Sequence, residues 1–174
     1  MNKLLLVVMA LMMTTSFEAV AAKAKTLKVN EKIEINASAD KVWENLGDFG
    51  AIEKWHPAFA STEIVGGTNN KVGAQRVLTL KDGGKINETL TAYSASKKTM
   101  TYKITESVVP VSHYLATIDV VAKGANKSLV VWHATFKRKD LADAPAAGQD
   151  DETAVKTITT VFQAGLENVK KISE

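Results

Sequence analysis

Hydrophobic and polar positions alternate with period two over residues 26–36, TLKVNEKIEIN, where Leu27, Val29, Ile33 and Ile35 fall on alternating positions. This pattern predicts a first strand. Ser38 follows as a helix N-cap, with Asp40 and Lys41 in the first turn. Val42, Trp43 and Leu46 then form the apolar face of a short helix that Gly47 ends. A second short helix is expected over 49–55, stopped by Pro57. Period two then returns in six runs, over 62–65, 74–81, 85–95, 99–108, 113–122 and 128–139. The connections between them are short, among them KDGGK, SASKK and KGANK. These runs read as an antiparallel meander. After an acidic Ala/Pro/Gly loop over 140–151, the step changes to three and four. Ala154, Val155, Ile158, Val161, Phe162, Leu166, Val169 and Ile172 make one face of a long helix. Asp150, Asp151 and Glu152 stand before it and Lys170 and Lys171 near its end, as the helix dipole favours.

The predicted order is strand, two short helices, six strands and one long helix. That is an α+β design, an antiparallel sheet with a long helix on one face. A strongly curved sheet of this kind leaves room under the helix, the natural place for a ligand.

The N-terminus changes the picture of where this domain works. Lys3 precedes an apolar run from Leu4 to Met13, and Ala19, Val20, Ala21 and Ala22 offer a small-residue cleavage site. Residues 1–22 therefore read as a signal peptide and 23–174 as a single domain, exported to the periplasm. The apolar run is shorter than the ~20 residues a bilayer span needs, so no stable span is expected after its removal. The chain has no cysteine, which removes disulfides, thiol chemistry and thiolate metal sites. Its net charge of +3 comes from scattered lysines with only two arginines, Arg76 and Arg138, which is no footprint for nucleic acid. Such mild basicity reads as a solvated surface, or as a long-range attraction for an acidic protein that salt would weaken.

Candidate chemistry comes from the DGG hairpin. With Leu80 opposite Ile86, Leu78 falls opposite Glu88 and Arg76 opposite Leu90, all six on one apolar face. Arg76 and Glu88 are then diagonal neighbours on the inner face, where charges are costly unless paired. They are read as cavity-lining groups that grip a polar part of a ligand, as an acid/base pair, or as a structural pair. The same parity turns Met100, Tyr102 and Ile104, then Tyr114, Ala116, Ile118 and Val120, then Val130, Trp132, Ala134 and Phe136 inward. Expected cavity-lining residues are thus Arg76, Leu78, Glu88, Leu90, Met100, Tyr102, Tyr114 and Trp132. Trp55, His56 and Pro57 sit at the helix-to-strand corner, with His56 open to three roles: base, ligand or lip of a pocket. His113 and His133 have outward parity, and no histidine pair has metal-binding spacing, so neither metal nor cofactor is expected.

The stretch INASADKVWENLGDFGAIEKWHPAFASTEIVGG and the following GAQRVLTLKDGGKINETL resemble the START/Bet v 1-like (SRPBCC) superfamily, and more narrowly its polyketide cyclase/dehydrase-type branch. The resemblance spans nearly all of the chain after the leader. It implies a helix-grip fold: a seven-stranded curved antiparallel sheet around the C-terminal helix, with a cavity between them. It further implies that Trp55, His56 and Pro57 form the cavity rim, with His56 facing the opening or solvent. Since the fold hosts carriers, receptors and cyclases alike, two functions follow from it. One is a non-enzymatic holder of a hydrophobic small molecule. The other is a cyclase- or dehydratase-like acid/base enzyme using Glu88, Arg76, Tyr102 and His56. With the leader and the Trp-His-Pro corner, the chain is similar to MxaD-type proteins encoded with bacterial methanol-oxidation systems. That likeness implies a periplasmic accessory role beside a methanol dehydrogenase and its redox partner.

Overall fold

The structure is a computed structural model that describes residues 23–174. The predicted leader lies outside the described residues. Strand β1 (Leu27–Ile35) leads into α1 (Ala39–Leu46), a 3-10 turn (Ile52–Lys54), and then β2 (Phe59–Gly66), β3 (Gln75–Leu80), β4 (Lys85–Ser94), β5 (Thr99–Ser107), β6 (Val111–Gly124) and β7 (Lys127–Arg138). Helix α2 (Asp151–Ser173) closes the chain. All seven strands form one antiparallel sheet in the order β1-β7-β6-β5-β4-β3-β2. Strands β2 to β7 are a meander, and β1 returns to pair with β7. This is the expected helix-grip architecture. The second helix expected over 49–55 is shorter than the pattern suggested, a single 3-10 turn.

Local chemistry sets the element ends. The Ser38 side chain accepts from the Lys41 amide at 3.2 Å to start α1, and Asp150 accepts from the Thr153 amide at 2.7 Å to start α2. Arg138, buried at the end of β7, donates to the carbonyls of Asp140 and Ala142 and to the Asp151 carboxylate. It thereby fastens the acidic loop to the first turn of α2.

The DGG hairpin corrects the register. Leu78 pairs with Ile86, and Arg76 lies directly opposite Glu88. The reason is the loop: Leu80 and Gly84 bond across it, and Lys81, Asp82 and Gly83 lie outside the ladder. Gly83 takes φ +88°, a conformation open to glycine without strain. Leu90 is bonded instead to the Ala74 backbone. Parity is unaffected, so the inner face stays as expected while each partner moves by two.

Bulges bend the sheet. Register breaks occur at Asn87/Glu88 and Leu90/Ala92 in β4, and at Ser112/Leu115 in β6, where His113 adopts φ +51°. Helix α2 packs chiefly on β1, and then on β7 and α1. It stands away from β3, β4 and β5, and the hollow of the fold lies there.

Candidate ligand cavity

The hollow has a volume of about 420 Å³. Its walls are mainly aliphatic and aromatic: Leu78, Leu80 and Ile86 from the β3–β4 hairpin, Phe59 from β2, and Ile158, Val161 and Phe162 from α2. Val108, Val109 and Pro110 of the β5–β6 turn and Asp82 of the β3–β4 turn also border it. Its polar side chains besides Asp82 are Glu88, Tyr102, Tyr114, Trp132 and Thr157.

Arg76 and Glu88 are 3 % and 6 % exposed. Arg76 Nε and Nη2 lie 2.7 and 2.6 Å from the same oxygen, Glu88 Oε2, while Nη1 donates to the Phe49 carbonyl at 2.5 Å. The guanidinium also lies over the Phe49 ring, 4.0 Å from its centroid, and 5.2 Å from that of Tyr102. Burial pushes the Glu88 carboxyl above the ordinary glutamate range, and the charge and hydrogen bonds of Arg76 pull the other way. Trp132 Nε1 donates to the Tyr102 hydroxyl at 2.9 Å, and the Tyr114 ring lies 6.4 Å from that of Tyr102 between centroids. Burial raises the Tyr102 phenol and drives Tyr114 well above the ordinary tyrosine value, so both remain protonated.

Of the eight residues expected to line the cavity, Leu78, Glu88, Tyr102, Tyr114 and Trp132 border it. Arg76, Leu90 and Met100 face inward and are buried, but they lie behind its wall. Arg76 is screened by Tyr102 and Phe49, and Leu90 and Met100 are packed into the core. The pattern of residues does not point to Phe59 as a wall position, and it places Ile158, Val161 and Phe162 only on the apolar face of the helix, because which positions of α2 and β2 meet the hollow is set by the tertiary fold.

The corner of Trp55, His56 and Pro57 does not form the rim. Pro57 is exposed and away from the hollow, and Trp55 is buried in the core. His56 is 1 % exposed and wedged behind the cavity wall. Its Nε2–H donates to the Val161 carbonyl of α2 at 2.9 Å, and its Nδ1 accepts from the Ala58 amide at 3.1 Å. Both nitrogens are satisfied in one neutral tautomer. Its ring meets Phe59 at 4.7 Å and Trp132 at 5.9 Å between centroids. The room for this comes from Gly165, where a Cβ would stand 2.5 Å from His56 Cδ2 and 2.9 Å from Trp132 Cζ3. Gly165→Ala is therefore expected to destabilise the protein by roughly 1–3 kcal/mol despite alanine's better helix propensity, because both obstacles are packed rings. A lowered urea midpoint at unchanged slope checks it.

Among the described residues, no three or more His, Asp and Glu side chains are placed to hold a metal ion, and no helix is long and apolar enough to cross a membrane.

The sequence profile described as polyketide cyclase/dehydrase and lipid transport matches residues 26–174. In structure the chain is similar to the protein XoxI from Bacillus cereus, at 27% identity and a TM-score of 0.72, with 83% of this chain and 94% of that one covered. It is similar in fold to an aromatase/cyclase from a Streptomyces species, at 17% identity and a TM-score of 0.70, covering 86% and 94% of the two chains. The same holds for norcoclaurine synthase from Thalictrum flavum, at 19% identity and a TM-score of 0.63, covering 99% and 96%. No curated protein sequence matches the chain.

Proposed function

The chain belongs to the polyketide cyclase/dehydrase and lipid transport family, and from that premise we propose that it holds a hydrophobic small molecule in the cavity under α2. The observation that carries this reading is the hollow itself. It falls within the size range of small-molecule sites, is walled by apolar side chains, and has a few polar groups converging at Glu88, Tyr102 and Tyr114. Native mass spectrometry of the protein purified from its own host is expected to show a bound small molecule. Ile158→Trp, which places an indole in the hollow, is expected to weaken binding of an apolar fluorescent probe by roughly tenfold or more while the circular dichroism spectrum persists. Equal binding by the variant would place the ligand elsewhere.

The finer reading adds place and partner. The N-terminal pattern supports export, and the likeness to MxaD-type proteins supports an accessory role beside a periplasmic methanol dehydrogenase and its redox protein. Fractionation of host cells followed by crosslinking in the periplasmic fraction tests both; recovery of the chain only from the cytoplasm sinks them together.

One observation favours a second reading, a cyclase- or dehydratase-like enzyme: Glu88 is a buried carboxyl raised above its ordinary value beside two phenols in the cavity. On that reading Glu88→Gln abolishes turnover of a bound poly-carbonyl substrate while binding survives.

A further inference from the structure

We propose that the cavity selects an uncharged apolar molecule bearing an O–H group, and that Glu88 Oε1 receives that group; this rests on the reading of the hollow as a ligand site. The charged side chains bordering the cavity are Asp82 and Glu88, both acidic, and no Lys, Arg or His is among the described residues lining it. Arg76 is the cation behind the wall, and its guanidinium is already committed. Nε and Nη2 are on Glu88 Oε2, Nη1 is on the Phe49 carbonyl, and its face lies against the Phe49 ring. An anionic headgroup entering the hollow would be stripped of water beside a carboxylate, with no cation offered in return.

The same geometry fixes what is missing from the site. Both Arg76 contacts fall on Oε2, so Oε1 has no hydrogen-bond donor among the described residues. A carboxylate oxygen can accept more than one bond, so Oε1 is open to a donor brought by a ligand. Neither neighbouring phenol donates to Oε1; the Tyr102 oxygen accepts from Trp132 Nε1 at 2.9 Å. A ligand that brings an O–H completes the cluster. A ligand of equal shape with only an acceptor, or with no polar atom, leaves Oε1 bare. Glu88 is in this account a specificity-determining residue, and Arg76 the group that holds it in place.

The test compares four probes of one shape at neutral pH by titration calorimetry: naphthol, methoxynaphthalene, naphthalene and naphthoate. Naphthol is expected to bind roughly tenfold tighter than methoxynaphthalene or naphthalene, as a hydrogen bond to a charged group is worth about that factor, with naphthoate the weakest. Naphthoate matching naphthol, or methoxynaphthalene matching it, overturns the inference and leaves the ligand site intact. Failure of all four to bind overturns both. The double variant Arg76→Met/Glu88→Leu is expected to retain naphthalene and lose the preference for naphthol. Should that variant not fold, Glu88→Gln, which keeps an acceptor for Arg76 but frees its charge, is expected to lift the penalty on naphthoate. Retention of the full naphthol preference in either variant overturns the role given to Glu88.

Discussion

Arg76→Met is expected to destabilise the protein by about 3–5 kcal/mol, one of the largest effects of any single substitution in the chain. The side chain itself makes few contacts that methionine could not replace by volume. The cost arises on the partner: Glu88 is 6 % exposed, and without Arg76 its charge has no counter-ion in an apolar wall. The carboxyl would take up a proton to escape, consistent with the direction in which burial already pushes it. The loss should therefore be larger at high pH than at low pH. The converse variant, Glu88→Leu alone, strands the guanidinium in the same way. Removing both charges together should recover most of the loss, since a buried ion pair replaced by apolar groups of similar volume is often close to neutral. Urea denaturation of the two single variants and the double variant supplies a thermodynamic cycle. A double variant as unstable as the singles would show that the pair organises the fold beyond satisfying its own charges.

That pair also shows how far the sequence was legible. The side-chain alternation of a strand is insensitive to a register error of two, so Arg76 and Glu88 could be placed on the inner face before their pairing was known. Their direct opposition depended on a three-residue loop, and KDGGK is compatible with more than one turn. The long helix and the strands were legible because each carries a sustained period. The 3-10 turn over Ile52–Lys54 was not, since three residues hold too little pattern. The hollow follows from curvature introduced by bulges such as Asn87/Glu88, which leave no signature in the order of residues. Hence Glu88 and Tyr102 could be named as facing inward, but whether a given inward residue meets the cavity or the core behind it could not. His56 is the clearest case. Its Trp-His-Pro setting suggests an exposed corner, yet Gly165, far along the chain on α2, opens the notch that buries it. Glycine in a helix otherwise reads as a weak position, and nothing local ties it to a histidine on another element.

Burial of His56 should make stability fall by about 3 kcal/mol as the solution is acidified from pH 6.5 to about 4. Desolvation pushes this imidazole down to about 4 from its ordinary 6.5. The hydrogen bond to Val161 opposes that shift, and the charge of Arg76 adds to it. Above pH 6.5 the ring is neutral in both folded and unfolded chains, and the stabilisation is fully present. As the pH falls below 6.5 the unfolded chain takes up a proton that the folded chain refuses, so unfolding is favoured progressively. Below about 4 the folded chain is protonated too and this dependence ends. Geometry gives the same sign: a proton on Nδ1 would face the Ala58 amide, which now donates to it. The lowered carboxyls of Glu34, Asp140 and Asp150 lose their contributions as they protonate, at the acid end of the range, whereas Glu88, raised by burial, protonates with the opposite sign. The histidine contribution is isolated by difference. His56→Gln keeps a donor for Val161 and an acceptor for Ala58, so it is expected to be less stable than the parent near neutrality but to have a flatter profile between pH 6.5 and 4. Urea midpoints of the two proteins across that interval decide the matter. Parallel profiles would mean that His56 is readily protonated in the folded state, which its two neutral-form hydrogen bonds and its place between Phe59, Trp132 and α2 argue against.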